Sequence, residues 1–301
     1  MKKFAVRQMP TLVAPGSNGT VWFSAENPPS INLMNRNGRI NPVIVLPVET
    51  RIAGIAATPD GGLWFTTYVR NNGRATQPQI HHILPDGTAK QFGTPGDIPA
   101  FSIAADKSGV GWFTQQQDRI GRIDANGGLR EYQLPELPGG KYNAAWAITS
   151  DGNDMWVTTM NDPAVIRIFP TGMMERHPIH WGGAKPRAIS AGSDGVWFSD
   201  VSGSGSIGHI DKEGIMHRIP MKLMEAPIGI AQAKDGIWIV GLAYVGKMRG
   251  DGVTTKLPQG FGQSIASTAD GKVWVSANIT NFGAAFIKRP FVGAIWQFEE
   301  N

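Results

Sequence analysis

The sequence predicts an all-β fold: one seven-bladed β-propeller of four-stranded antiparallel blades, closed by an N-terminal strand that completes the last blade. Three observations predict it: a tryptophan that recurs in one local context, a tight glycine turn shortly before it, and about four short strands per repeat. The tryptophans are Trp22, Trp64, Trp112, Trp156, Trp197, Trp238 and Trp274, at spacings of 42, 48, 44, 41, 41 and 36 residues. Repeats of this length and content are typical of propeller blades.

Each repeat has the same order of elements. In the second repeat, an apolar strand at 53–57 precedes the turn Asp60-Gly61, which leads into the strand of Trp64. Asp-Gly favours a tight hairpin, because glycine accepts a positive φ and aspartate can bond to nearby backbone. A third strand follows, marked by alternating Ile and Arg as in 119–123, and a fourth ends near proline as in 129–135. We therefore expect four antiparallel strands per repeat.

The two ends of the chain indicate how the ring closes. The last repeat contains three strands, near 263–267, 273–277 and 294–298, and lacks a fourth. Residues 3–9 have the pattern of a fourth strand. We therefore predict that they complete the seventh blade, which removes two open sheet edges and makes residues 1–301 one domain.

Composition limits the classes of partner. The net charge is +4 and the pI about 9.3, but the basic residues are scattered, so we expect neither nucleic acid nor a membrane as partner. There is no cysteine, which excludes disulfides and thiolate metal sites. Arg7 and Gln8 interrupt the apolar stretch that a signal peptide needs. We expect a cytoplasmic monomer, with secretion left open if a signal peptide has been removed.

A ligand site is expected at the mouth of the central channel. The innermost strand and the Trp strand of a blade are antiparallel, so the start of the first and the end of the second meet on one face. In repeats three to five these positions are polar or aromatic: Phe101, Gln115, Trp146, Thr159, Arg187 and Asp200. A cleft with aromatic walls and a few converging polar groups is the usual form of a small-molecule site.

Two interpretations of these residues remain open. In the first, Arg187 anchors an anion or a carbonyl of a small-molecule ligand between the walls formed by Trp146 and Phe101. In the second, Arg187 and Asp200 face each other across the hairpin as a structural ion pair. His180, in the loop before the fifth repeat, is either a base above the site or a solvated loop residue.

The histidine pair of the second repeat is a poor metal site. His81 and His82 are neighbours on a third strand, away from the channel. Adjacent strand residues point to opposite faces, so the two cannot chelate one ion together.

The repeat pattern resembles that of the virginiamycin B lyase (streptogramin lyase) family. The third repeat carries the likeness best, with the segments Gly111-Trp112-Phe113-Thr114, Arg119-Ile120-Gly121-Arg122-Ile123-Asp124 and Glu131-Tyr132-Gln133-Leu134-Pro135. The resemblance implies antibiotic resistance by a carbon–oxygen lyase, which opens the ester of cyclic streptogramin B compounds by elimination, with magnesium as the implied cofactor.

The family's catalytic positions differ in this sequence. In the family, histidines at the starts of late innermost strands do much of the chemistry, in a Pro-His-Ala/Gly-Ile context. The matching positions here hold Arg187, Ile228 and Gln263, and Glu225 lies one residue before the slot of a family carboxylate. No catalytic residue is therefore carried over. The alternative to a lyase is a non-catalytic propeller that binds a ligand or another protein.

Overall fold

The structure is a computed structural model of the chain. It describes residues 1–115, 118–203, 205–221, 227–241, 244–249, 252–257, 261–268, 271–279 and 292–298. These residues form seven four-stranded antiparallel sheets, which confirms the predicted seven-bladed propeller. Within the described ranges there is no helix long and apolar enough to cross a membrane.

The four strands of each blade are numbered along the chain. The innermost strands of blades one to seven are β2 (Met9–Pro15), β6 (Thr50–Ala57), β10 (Ala100–Ala105), β14 (Ala145–Ser150), β18 (Pro186–Gly192), β22 (Gly229–Ala233) and β26 (Phe261–Ser267). The second strands are β3 (Val21–Glu26), β7 (Leu63–Asn71), β11 (Gly111–Gln115), β15 (Met155–Thr159), β19 (Gly195–Asp200), β23 (Gly236–Gly241) and β27 (Val273–Ile279).

The outer half of each blade follows the same order. The third strands are β4 (Ser30–Met34), β8 (Arg74–Ile83), β12 (Arg119–Ile123), β16 (Ala164–Ile168), β20 (Ser206–Ile210), β24 (Tyr244–Arg249) and β28 (Val292–Phe298). The outermost are β5 (Ile40–Val45), β9 (Ala89–Gly93), β13 (Leu129–Gln133), β17 (Met174–Pro178), β21 (Met216–Pro220), β25 (Gly252–Leu257) and, in blade seven, β1 (Lys2–Val6). Single 3-10 turns lie at Ser17–Gly19, Pro95–Asp97 and Pro138–Gly140.

The N-terminal strand closes the ring, as predicted. β1 pairs with β28 in antiparallel register from Lys2 opposite Gln297 to Val6 opposite Gly293. The predicted end of this strand, at residue 9, was wrong. The chain bends at residues 7 and 8 to cross between blades, so Met9 already belongs to the innermost strand of blade one.

The recurrent tryptophans join each blade to the next. Trp64 of blade two packs with Ile103 and Phe113 of blade three, and the same relation repeats around the ring. Trp274 of blade seven packs with Val13 of blade one, so the contact is unbroken across the closure. Burying one aromatic side chain contributes about 1.5–3 kcal/mol by area alone. The tryptophan of the repeat motif therefore stabilises the interface between neighbouring blades.

In blades three and five a glycine of the third strand makes room for the ring of the phenylalanine that follows the tryptophan. A Cβ on Gly121 would lie 2.0 Å from the ring of Phe113, and one on Gly208 would lie 2.0 Å from Phe198. These aromatic rings face the preceding blade, while the tryptophans face the following one. The tryptophan and the phenylalanine are consecutive residues of the second strand, so they point to opposite faces of the sheet and fill two different interfaces.

Candidate functional site

A β-bulge opens six of the seven innermost strands at the same place. At each bulge the innermost strand has one residue more than the strand opposite, and its unpaired segment begins at one residue in each of the six blades. The six residues, called the rim below, are Thr11, Ala53, Phe101, Trp146, Arg187 and Gln263. Bulges re-aim side chains and are common beside binding sites. None of the six is buried, although each lies on the innermost strand of its sheet.

Hydroxyl groups two residues after the tryptophans hold these bulges. Within a blade, the hydroxyl accepts the N–H that follows the bulged residue. The three such bonds are Leu12 N to Ser24 Oγ at 3.0 Å, Ala147 N to Thr158 Oγ1 at 3.2 Å and Ala188 N to Ser199 Oγ at 3.0 Å. Each bond satisfies a backbone donor that the bulge removes from the ladder.

Hydroxyls at this position also reach the bulge of the next blade, and Thr158 makes both kinds of bond. There they donate to the carbonyl of the rim residue. The three bonds are Thr114 Oγ1 to Trp146 O at 3.0 Å, Thr158 Oγ1 to Arg187 O at 3.4 Å and Ser276 Oγ to Thr11 O at 2.8 Å. The rim backbone is therefore fixed both within blades and between them.

Blade six lacks this hydroxyl. Its residue two after the tryptophan is Val240, which has no hydroxyl. The register of β22 with β23 shows no shift from Gly229 opposite Val240 onward, and Ile228 N donates to Val240 O at 2.8 Å. Sequence reasoning missed the bulges. The Ser or Thr after Trp-Phe and Trp-Val was the signal that could have revealed them.

Three of the predicted site residues lie together on the rim. Phe101, Trp146 and Arg187 are the bulged residues of blades three, four and five, so they occupy equivalent positions in neighbouring blades. Trp146 is 36% exposed, which is unusual for a tryptophan on an innermost strand. The Arg187 side chain is exposed and has no ion pair or hydrogen bond with any residue in the described ranges.

The other three predicted site residues are fully buried and hydrogen-bonded to neighbouring loops. Gln115 Nε2 donates to Pro95 O at 3.0 Å and to Ile98 O at 3.2 Å. Thr159 Oγ1 donates to Asp162 O at 3.0 Å. The ends of the second strands thus anchor loops, while the bulged residues of the innermost strands remain available.

Asp200 has the most complete set of these loop contacts. Its carboxylate accepts hydrogen bonds from Trp181 Nε1 and Lys185 N, both at 2.8 Å, and from Ser202 N and Ser206 Oγ, both at 2.9 Å. Burial would raise the pKa of the Asp200 carboxyl, but these hydrogen bonds outweigh burial and lower it below its ordinary value. Asp200 is therefore an ionised structural anchor.

The expected Arg187–Asp200 ion pair is wrong. Asp200 lies opposite Pro186 and is fully buried, whereas Arg187 lies in the bulge that follows and is exposed. The seven ion pairs found in the described ranges do not include this pair. Arg187 is thus left with an uncompensated charge at the channel mouth.

The histidines lie away from the rim. His82 stacks on Trp64 at 3.8 Å and His81 on Phe65 at 4.4 Å, on opposite faces of β8. His180 is exposed in the loop between β17 and β18, at the same end of the ring as the rim. Among the described residues, no three His, Asp or Glu side chains are grouped so that they could hold a metal ion. Glu225 lies outside the described residues.

Comparisons with known proteins agree with this architecture. A family model for the virginiamycin B lyase family matches residues 1–281. A virginiamycin B lyase from Nocardia farcinica is 30% identical over 220 residues, which is 71% of this chain and 72% of that protein. Both the length of the family match and the extent of this identity show common family membership.

Solved structures support the fold independently. A streptogramin B lyase superposes with a TM-score of 0.79 at 23% identity, covering 99% of this chain and 97% of its own. A catalytically inactive histidine-to-alanine variant of virginiamycin B lyase from Staphylococcus aureus, solved with quinupristin, gives 0.75 at 22% identity, with 98% of each chain covered. At these identities the structural likeness establishes the fold, and the sequence matches establish the family: this chain belongs to the virginiamycin B lyase family.

Proposed function

We propose that this protein binds a small molecule on the rim, between the aromatic side chains of Phe101 and Trp146 and the guanidinium of Arg187. The observation that carries the proposal is the set of bulges, which turn side chains of the innermost strands out of the ladder in six of seven blades. A free cation beside exposed aromatic rings can bind carbonyl or anionic oxygens while the rings cover apolar surface.

The class of ligand that suits these groups is a cyclic peptide rich in carbonyl groups. Arg187 offers only donors, and the neighbouring rings offer flat apolar walls. Quinupristin, the compound named with the Staphylococcus aureus structure, is the probe that follows from family membership. We therefore propose a streptogramin-like depsipeptide as the ligand.

Ring opening by elimination requires a base that removes a proton. The bulged position of blade five and the matching position of blade seven hold Arg187 and Gln263, and blade six holds Ile228, none of which is a base at neutral pH. We therefore propose binding as the function and treat lyase activity as the outcome that an assay must decide. The described residues do not supply a ligand set for magnesium. Binding and any ring opening are therefore measured both with and without magnesium.

The test is calorimetric titration with quinupristin, run with and without magnesium. Arg187→Ala should weaken binding by about tenfold, or about 1.4 kcal/mol. Arg36→Ala is the matched control, because it removes the same charge from an exposed turn at the opposite end of the ring. Absence of binding by the unaltered protein, or equal affinity in both variants, would remove the proposal.

Chromatography with mass detection separates binding from lysis. Elimination gives an isomer of the substrate, so a linearised product has the same mass and a changed retention time. Unchanged quinupristin after incubation with the protein and magnesium supports a binding protein, whereas an isomeric product assigns lyase activity.

Cellular location and assembly complete the proposal. We propose a cytoplasmic monomer that takes neither nucleic acid nor a membrane as partner. Cell fractionation would test the cytoplasmic location, and light scattering of the purified protein would test the monomeric state.

A further inference from the structure

A cavity lies where the connector from blade one meets blade two, and none of the rim residues lines it. Its volume is about 430 Å³, which falls within the range of small-molecule sites. One wall is the connector from β5 to β6, with Leu46, Pro47 and Glu49. The opposite wall is the face of blade two that carries His81 and Gln91.

His81 is the most buried titratable group of this cavity. It is 7% exposed, stacks on Phe65 and places Nε2 2.9 Å from Thr67 Oγ1. Its Nδ1 has no hydrogen-bond partner among the residues of the described ranges. This nitrogen is not among the buried side-chain atoms that lack a partner, so it is open to solvent and available to a ligand in the cavity.

The repeat itself does not require a histidine here. In blades three and five the residue opposite the phenylalanine is glycine, Gly121 and Gly208, because the ring fills the available space. In blade two the same position holds His81, opposite Phe65. The other blades hold Asn32, Ile166, Gly246 and Trp296 at this position, so the repeat accepts several residue types there, and His81 is the one that lies beside a cavity.

The hairpin of blade two extends the cavity wall. β7 and β8 contain 9 and 10 residues, and their tip carries Tyr68 and Gln77 into the lining. Gln77 has a φ of 51° and precedes Pro78, although a side chain disfavours that conformation and proline restricts the residue before it. A strained residue persists only where surrounding structure holds it, and such residues concentrate at binding sites.

The lining favours a neutral partner with many hydroxyl groups. Gln77, Gln79 and Gln91 supply three amides, each able to donate and accept. Burial lowers the pKa of His81 to about 4, so its ring is neutral at physiological pH. Glu49 is the one charged residue of this lining.

We propose that this cavity binds a neutral polyhydroxylated molecule, a mono- or disaccharide, through the three glutamine amides and the free ring nitrogen of His81. Vicinal hydroxyls match primary amides, since each group both donates and accepts. Tyr68 provides a ring against the apolar face of a sugar. No rim residue lines this site, although the ring of Tyr68 lies 6.0 Å from that of Phe101, and the proposal does not depend on the function proposed for the rim.

The test uses maltose as probe, followed by calorimetry and by the ¹⁵N signals of the histidine rings. We expect saturable binding, with a shift of the His81 ring nitrogens. The double variant Gln79→Ala/Gln91→Ala should weaken binding by about tenfold or more. Gln133→Ala is the control, because Gln133 is an exposed glutamine on the outermost strand of blade three.

Two further variants distinguish binding from a structural role. Gln77→Gly relieves the strained φ, so it should raise the melting temperature and still weaken maltose binding. Arg187→Ala should leave maltose binding unchanged. The proposal would be overturned if maltose failed to shift the His81 signals, or if the double variant and Gln133→Ala bound maltose equally well. It would also be overturned if the cavity bound ethanolamine, a cation that pairs with Glu49, and did not bind maltose.

Discussion

Thr158 offers a direct test of how the rim is held. Its hydroxyl accepts from Ala147 N at 3.2 Å and donates to Arg187 O at 3.4 Å, so one side chain fixes bulges in two blades. Thr158→Val keeps the shape of the side chain and deletes both bonds. Thr158 is fully buried, so water cannot replace the lost hydroxyl without rearrangement of the sheet.

The expected loss follows from the groups left unpaired. Removing one partner so that a buried backbone donor is unsatisfied costs about 1–3 kcal/mol. The donor here is Ala147 N, and the longer bond to the Arg187 carbonyl adds little. We therefore expect Thr158→Val to lower the free energy of unfolding by about 1–3 kcal/mol.

Thr66 supplies the matched control. It stands at the same place in blade two, is equally buried, and its Oγ1 has no hydrogen-bond partner. Thr66→Val removes an unpaired buried hydroxyl, so it should be neutral or stabilising. Urea unfolding of both variants gives the comparison through midpoints and slopes. Equal stability of Thr158→Val and the unaltered protein, or equal losses in both variants, would refute the buttressing role of this hydroxyl.

Two other expectations concern acid stability and ring closure. Burial lowers the pKa of His81 from 6.5 to about 4, so only the unfolded chain binds this proton between those values. The free energy of unfolding should then fall by up to about 3 kcal/mol as the pH drops from about 6.5 to about 4, and His81→Gln should flatten that slope in urea titrations. Deleting residues 2–6 removes the partner of β28 and the stack of Phe4 on Trp274, 6.0 Å apart. That deletion should lower the melting temperature and promote association on gel filtration through the exposed edge, and an unchanged monomer would contradict the closure argument.

The fold was predictable because its determinants are local and repeated. The strand containing Trp64 and the turn before it are encoded within a few residues, and seven copies make the pattern unambiguous. The closure by the N-terminal strand was predictable by counting strands in the last repeat. Its end was not, because the bend at residues 7 and 8 depends on the path between two blades.

The candidate site was only partly predictable. Antiparallel geometry placed Phe101, Trp146 and Arg187 correctly at one end of the innermost strands. It could not foresee that the carboxylate of Asp200 is saturated by loop donors such as Trp181, since that contact depends on how the loop folds over the strand. His81 was judged by its strand position alone, and the cavity beside it forms only when two blades meet.

At the bulges, the groups that hold the backbone are different from the side chain that is exposed to a ligand. Hydroxyls such as Thr158 and Ser199 set the backbone at Arg187, and the guanidinium itself takes no part in holding it. A blade built this way can carry a different side chain at the bulged position without a change in the strands that hold it. A single substitution at a bulged position can then change which ligand is bound, because the backbone at that position is already held in place.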